Sequence, residues 1–261
     1  MNMDRKRING PEMSVRPVIE AEFQPQLSNV LIDSNLQRKD NRNSDQIRPI
    51  FIKPNLIPQA NGSAYIELGD TKLVVSVFGP RQNKRMAFSP SGQLTCEFKF
   101  STFACEQRRG HIRDNEEKDI SQLILAALVP AIKLENYPKS LIDIYITVLE
   151  NGGTQSCLAA GITASSVALA TAGIEMLDLV AASSGGFFEN NKFLLDCNRE
   201  EERFQQGYLV IATMPSFKSS THLVQVGDVD LNTSKQALET AVDSTYNIYS
   251  IMNLCLKQQL E

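Results

Sequence analysis

Between Ile142 and Ala172 the hydrophobic period changes across one pair of glycines, and this change constrains the fold more than any other stretch. Ile142, Ile144, Ile146 and Val148 alternate with Asp143, Tyr145 and Thr147, the two-residue period of a strand with one buried face. Glu150-Asn151-Gly152-Gly153-Thr154 interrupts the alternation, and a helix of small residues is expected from about Gln155 to Ala172. Strand, glycine turn and helix follow one another directly.

The flanking sequence repeats the same materials. Ser63 to Leu68 and Lys72 to Phe78 are strand-like runs separated by Gly69-Asp70-Thr71, which reads as a hairpin. From Gln93 to Phe100, Leu94, Cys96, Phe98 and Phe100 share one face of a half-buried strand. After Glu116 the period lengthens to about 3.6, placing Ile120, Leu123, Ile124, Ala127 and Leu128 on one stripe of a helix that ends near Pro130. Beyond Gly173, apolar runs at Leu177 to Ala182, Phe193 to Leu195, Tyr208 to Met214 and His222 to Val226 predict a second sheet. A long final helix carries Leu238, Ala241, Val242, Thr245, Tyr249, Met252 and Leu256 on one face, with capping candidates from Asn232 to Ser234. Two consecutive sheet-plus-helix layers make an α+β protein.

Residues 1–46 differ from this body. They are polar, lack a sustained period and set seven Lys/Arg against seven Asp/Glu, so an extended N-terminal arm with little core is expected, followed by one domain over residues 47–261. A formal charge of -4 gives no general polyanion-binding signature, which confines any nucleic-acid contact to local basic clusters. Five cysteines without a Cys-x-x-Cys pair argue against a disulfide framework and for a reducing compartment. With no apolar leader after Met-Asn-Met-Asp-Arg-Lys-Arg and no long apolar run, neither secretion nor a membrane span is expected.

Several blocks, taken in order, resemble RNase PH-fold proteins, a family that includes bacterial RNase PH and ring subunits of the eukaryotic RNA exosome. They are Asn61-Gly62-Ser63-Ala64-Tyr65 with Gly69-Asp70-Thr71-Lys72, then Val77-Phe78-Gly79-Pro80-Arg81, then Glu150 to Thr154. Ala170-Thr171-Ala172-Gly173-Ile174, Leu194-Leu195-Asp196 and Met214-Pro215-Ser216 complete the set, which spans roughly residues 47 to 258. In the arm, Asp4-Arg5-Lys6-Arg7 followed by Gly10-Pro11-Glu12 is similar to one particular type of ring subunit. The resemblance implies an RNase PH-like α+β fold, of the ribosomal protein S5 domain 2-like kind. It also implies a hetero-oligomeric ring of RNase PH-like subunits with a central pore for single-stranded RNA, an RNA-binding cap subunit and an associated processive nuclease. Residence in nucleus, nucleolus and cytoplasm, and a part in rRNA processing and RNA degradation, follow from the same resemblance.

Phosphorolytic members attack an RNA 3′ end with inorganic phosphate, and guanidinium forks suit that dianion because they bind it bidentately and stay charged. Their phosphate motif reads Gly-Gly-Thr-Arg at the head of a helix, whereas here Gln155 follows Gly152-Gly153-Thr154. Removing one charge-assisted interaction of this kind costs about 2–5 kcal/mol. An arginine expected on the earlier helix is also absent from Ser121 to Leu128. The paired aspartates become Asp196 and Glu202, six positions apart, and glutamate shifts the charge by about one methylene. Gln155, Asp196 and Glu202 therefore describe a degenerate former site, and no catalytic residue, cofactor or metal is expected.

Plainer readings apply to the same residues. Asp196 can simply end a strand, Glu200 to Glu202 can be a solvated acidic turn, and Gly152-Gly153 can be only a turn. His111 and His222 match no metal or triad spacing, and Cys157 reads as core. Basic loops remain: Arg81, Lys84 and Arg85, then Arg108, Arg109, His111 and Arg113. By the resemblance the second loop faces the pore, so Arg108, Arg109 and Arg113 are the candidate RNA-binding residues, acting on phosphates without base readout. The expected function is a non-catalytic structural and RNA-channel subunit of the exosome ring. The alternatives are an active phosphorolytic 3′-to-5′ exoribonuclease with arginines supplied by a neighbour, and a free-standing RNA-binding module.

Overall fold

The computed structural model describes residues 38, 40–82, 89–110, 112–188 and 192–260. Most of the N-terminal arm, together with Lys84, Arg85 and His111, lies outside them. No helix among the described residues is long and apolar enough to cross a membrane.

Among the described residues, two sheets and four α-helices form the body. The first sheet has the order β1-β2-β3-β5-β4, from β1 (Ile50–Pro54), β2 (Gly62–Leu68), β3 (Thr71–Gln82), β4 (Gln93–Phe100) and β5 (Ser140–Glu150). Its pairs are antiparallel except β4 with β5, which run parallel because α1 (Asn115–Leu128) lies in the crossover between them. The second sheet, β7-β6-β8-β9, is antiparallel throughout and comprises β6 (Ala181–Phe188), β7 (Lys192–Leu195), β8 (Gly207–Met214) and β9 (Ser219–Val226). The expected α+β architecture of two sheet-plus-helix layers is present.

The small-residue helix α2 (Thr154–Thr171) packs against β2 and β3 on one side and β6 and β8 on the other. Every residue from Ser156 to Leu169 is buried, so no polar face is needed and the sequence shows no amphipathic stripe. Small side chains let both sheets approach. At Gly62 on β2 an added Cβ would stand 2.2 Å from the Ala168 carbonyl oxygen of α2. The helix hydroxyls also serve the second sheet: Thr163 Oγ1 accepts from the Ala182 N–H at 3.2 Å, and Ser166 Oγ from the Val180 N–H at 2.8 Å.

Helix α1 covers the outer edge of β4. The Phe98 N–H donates to Ser121 Oγ at 3.1 Å and the Phe100 N–H to Glu117 Oε1 at 2.8 Å, so side chains of the helix satisfy backbone groups that no further strand pairs. On the far side, α4 (Leu231–Leu260) packs on β6, β1 and β8. Strand β6 is thereby buried along its whole length.

Three expectations shift in position. The strand read at Leu177 to Ala182 lies at Ala181–Phe188, because backbone pairing with β7 and β8 governs a segment that has no period of its own. Asn232 to Ser234 fall inside the first turn of α4 and do not cap it from outside. The end of the arm is also packed: Arg38 and Arg42 are buried against the β7 region, so core packing is under way before residue 47.

Candidate functional site: the cleft at the head of α2

Three segments converge beside the N-terminus of α2. They are the loop residues Cys105 to Gly110 with Asp114, the turn from Asn151 to Gln155, and the short helix α3 (Arg199–Glu202) with its continuation to Gln205. Together they line a cleft of about 770 Å³ that contains four arginines, Arg108, Arg109, Arg199 and Arg203, and four carboxylates, Glu106, Asp114, Glu116 and Glu202.

The head of α2 is occupied from within the chain. Glu202 Oε2 accepts the Thr154 N–H at 2.9 Å and Glu202 Oε1 the Gln155 N–H at 3.0 Å, so one carboxylate takes two of the donors left free at the positive end of the helix dipole. Gly153 permits the approach, since a Cβ there would lie 2.8 Å from Glu202 Oε1. Burial raises the Glu202 carboxyl above its ordinary value, and the two N–H groups offset this only in part. Of the acidic turn, then, Glu200 is exposed while Glu201 and Glu202 are turned inward. Glu201 is buried and pairs with Arg38 at 3.2 Å, and Asn198 with Glu201 forms a reciprocal cap that starts α3.

Asp196 stands apart from the cleft. It is 1% exposed, ends β7 in a left-handed conformation (φ 50°) and accepts from the Arg48 backbone N–H at 2.9 Å. The Arg48 guanidinium grips its carboxylate bidentately, Nε at 2.8 Å and Nη2 at 2.6 Å. Burial alone raises this carboxyl, but the hydrogen bonds and charge of Arg48, with Arg42 at 3.6 Å, hold it below its ordinary value. Of the three degenerate-site residues, the fold brings Gln155 and Glu202 together and commits Asp196 to an internal ion pair.

The loop arginines divide similarly. Arg109 lies over the Phe100 ring at 4.2 Å, donates to Cys105 Sγ at 3.3 Å and pairs with Glu116 at 3.0 Å and Asp114 at 3.9 Å. Its backbone N–H closes the loop on the Thr102 carbonyl at 3.2 Å. Arg113 donates to Ser121 Oγ of α1. Arg108 alone of the three is exposed and makes no side-chain hydrogen bond or ion pair among the described residues. Sequence reasoning did not single out Glu106 or Arg199, nor did it give Arg203 a role, although the spacing Arg199 to Arg203 was a visible signal.

No group of three or more His, Cys, Asp or Glu among the described residues could hold a metal. Cys157 is fully buried, and burial pushes its thiol far above the ordinary range, as expected of a core residue and not a nucleophile. The five cysteines are all free.

Comparison with known proteins agrees with this topology. Residues 46–175 match domain 1 of the 3′ exoribonuclease family and residues 178–244 match its domain 2. The chain belongs to the RNase PH family. Its relatives in the family include exosome components: the chain is 38% identical over 227 residues to exosome complex component mtr3 of Schizosaccharomyces pombe, covering 86% of this chain and 84% of that one. It is 36% identical over 232 residues to exosome complex component Rrp41 of Nitrosopumilus maritimus, with 88% and 94% covered. Among solved structures of this RNase PH fold, rice Rrp46 superposes with a TM-score of 0.72 at 25% identity, covering 83% of this chain and 98% of that one.

Proposed function

We propose that this RNase PH-family protein is a non-catalytic structural and RNA-channel subunit of an exosome ring, supporting 3′-to-5′ RNA processing and degradation without cutting RNA itself. One observation carries the reading: the Glu202 carboxylate already occupies the Thr154 and Gln155 N–H groups at the head of α2. A helix head of this kind is where a phosphate dianion is ordinarily bound, and a like charge there opposes it. Gln155 supports the reading, since it offers no guanidinium to compensate. So does the commitment of Asp196 to Arg48, which leaves it no freedom for acid–base work in the cleft.

The proposed partners are other RNase PH-like ring subunits, an RNA-binding cap subunit, an associated processive nuclease and single-stranded RNA in the pore, with Arg108 as the exposed loop contact. Nuclear, nucleolar and cytoplasmic residence is proposed with them. The test is phosphorolysis: the full chain, alone and in a ring lacking any separate nuclease, is incubated with labelled RNA in phosphate buffer. No shortening is expected. Phosphate-dependent release of nucleoside diphosphates by the purified chain sinks the proposal.

A further inference from the structure

The charges lining the cleft do not all cancel locally. Arg109 is matched by Glu116 and Asp114, and Glu202 by the α2 backbone. What remains is Arg108, Arg199 and Arg203 against a single carboxylate, Glu106. Both α3-side guanidiniums converge on the same atom, Glu106 Oε2, which lies 3.5 Å from Arg199 Nη2 and 2.8 Å from Arg203 Nη2. Two guanidiniums aimed at one anionic oxygen is also how proteins hold a phosphate oxygen.

The carboxylate that fills this position is poorly fixed. Glu106 belongs to the loop and its side chain is 63% exposed, against 30% for Arg199 and 44% for Arg203. An ion pair this exposed contributes little to stability and exchanges readily for another anion. No large apolar side chain lines the cleft, so it lacks the anchor pocket on which protein partners depend, whereas a phosphodiester chain needs only charge.

Building on the RNA-channel reading above, we infer that Arg199 and Arg203, with Arg108 across the cleft, form a clasp for a backbone phosphate of single-stranded RNA. Glu106 is the internal carboxylate that occupies the clasp until RNA displaces it. The contact is sequence-independent, and it moves the RNA-binding set from the loop alone to the loop and α3 together.

The experiment measures binding of the full chain to a fluorescent oligouridylate over a series of salt concentrations, with far-ultraviolet circular dichroism to verify folding. Replacing both Arg199 and Arg203 by alanine is expected to weaken binding and to lower the log–log salt slope by about 0.7, the amount due to one phosphate of a single strand. Glu106→Gln is expected to strengthen binding several-fold, because it frees both guanidiniums; a merely structural Glu106 predicts weaker binding or none of this gain. Unchanged affinity and slope in the double variant, while Arg108→Ala weakens binding, overturns the clasp and leaves the channel reading intact. Absence of RNA binding by the wild type and by every variant overturns both. Inorganic phosphate added as competitor separates the ion from the chain: displacement of RNA at matched ionic strength assigns the site to free phosphate and overturns the inference. Loss of association with ring subunits at unchanged RNA affinity assigns it to a protein carboxylate, with the same consequence.

Discussion

Arg48 is the residue at which three separate parts of the chain meet. It precedes β1, takes Asp196 at the end of β7, donates through Nη2 to Ser156 Oγ on α2, and lies beneath the hairpin turn, where a Cβ on Gly69 (φ 56°) would stand 2.7 Å from its Cδ. Removing one partner of a buried ion pair leaves the other charged and unpaired. Asp196→Ala is therefore expected to cost about 3–5 kcal/mol of unfolding free energy, measured by urea denaturation of the full chain. A cost of less than about 1 kcal/mol places the pair among those that contribute almost nothing. Asp196 and the partly buried Glu202 also give opposite pH dependences. Asp196 has a folded pKa below its ordinary 3.8, so its contribution is full above that value and disappears as pH falls through the folded one. Glu202 is raised above 4.5, so its contribution is present below 4.5 and is lost as pH rises through its folded value. In a series of unfolding curves against pH, Asp196→Asn should remove the acid limb and Glu202→Gln the decline above 4.5. An acid limb that survives in Asp196→Asn assigns it to other carboxylates.

Among the elements, α1 does more than cover a sheet face. Glu117 accepts the Phe100 N–H through Oε1 and the Asp114 N–H through Oε2, closing a sheet edge and a helix start with one side chain. Ser121 does the same for Phe98 while accepting from Arg113, so the loop that carries Arg108 is tied to the strand at both ends. Glu117→Ala leaves two N–H groups without partners and is expected to destabilise the protein by about 1–3 kcal/mol per buried group. Hydrogen exchange at Phe100 should accelerate strongly while Phe98 stays protected by Ser121. Equal acceleration at both positions indicates that α1 detaches as a unit and that Glu117 is not a local latch.

Across the whole molecule, the N-terminal segment changes its meaning. Arg38 donates to the Leu195 carbonyl at 2.7 Å and pairs with Glu201, and Arg42 reaches the Asp196 carbonyl at 3.3 Å and Asn198 Oδ1 at 3.3 Å. These interactions hold the β7–α3 connection, and hence Glu202, in register with the head of α2. A chain lacking residues 1–46 should have a lower denaturation midpoint, and a looser cleft, than one lacking only residues 1–37. Identical midpoints for the two truncations show that Arg38 and Arg42 are dispensable to the body. Deletion of either length is expected to weaken recovery of the assembled ring if the arm binds a neighbour.

Strands such as β5, with Ile142, Ile144, Ile146 and Val148 all buried, were legible because a half-buried strand writes its environment into a period of two. The stripe of α1 was legible for the same reason at 3.6, and the departure at Gln155 from the family's Gly-Gly-Thr-Arg was legible because a motif is local in sequence. Strand β6, Ala-Ala-Ser-Ser-Gly-Gly-Phe-Phe, carries no period because it is buried on every side, so only its ladders with β7 and β8 define it. Glu202 looked solvent-bound for a comparable reason: the N–H groups that hold it lie 47 and 48 residues away along the chain. Local order, then, was determined by the sequence through short-range periodicity and turn chemistry. Which arginines are held internally, which stay available, and which carboxylate fills the head of α2 were decided by the tertiary structure, because pairing between charges depends on distances that only the folded chain sets.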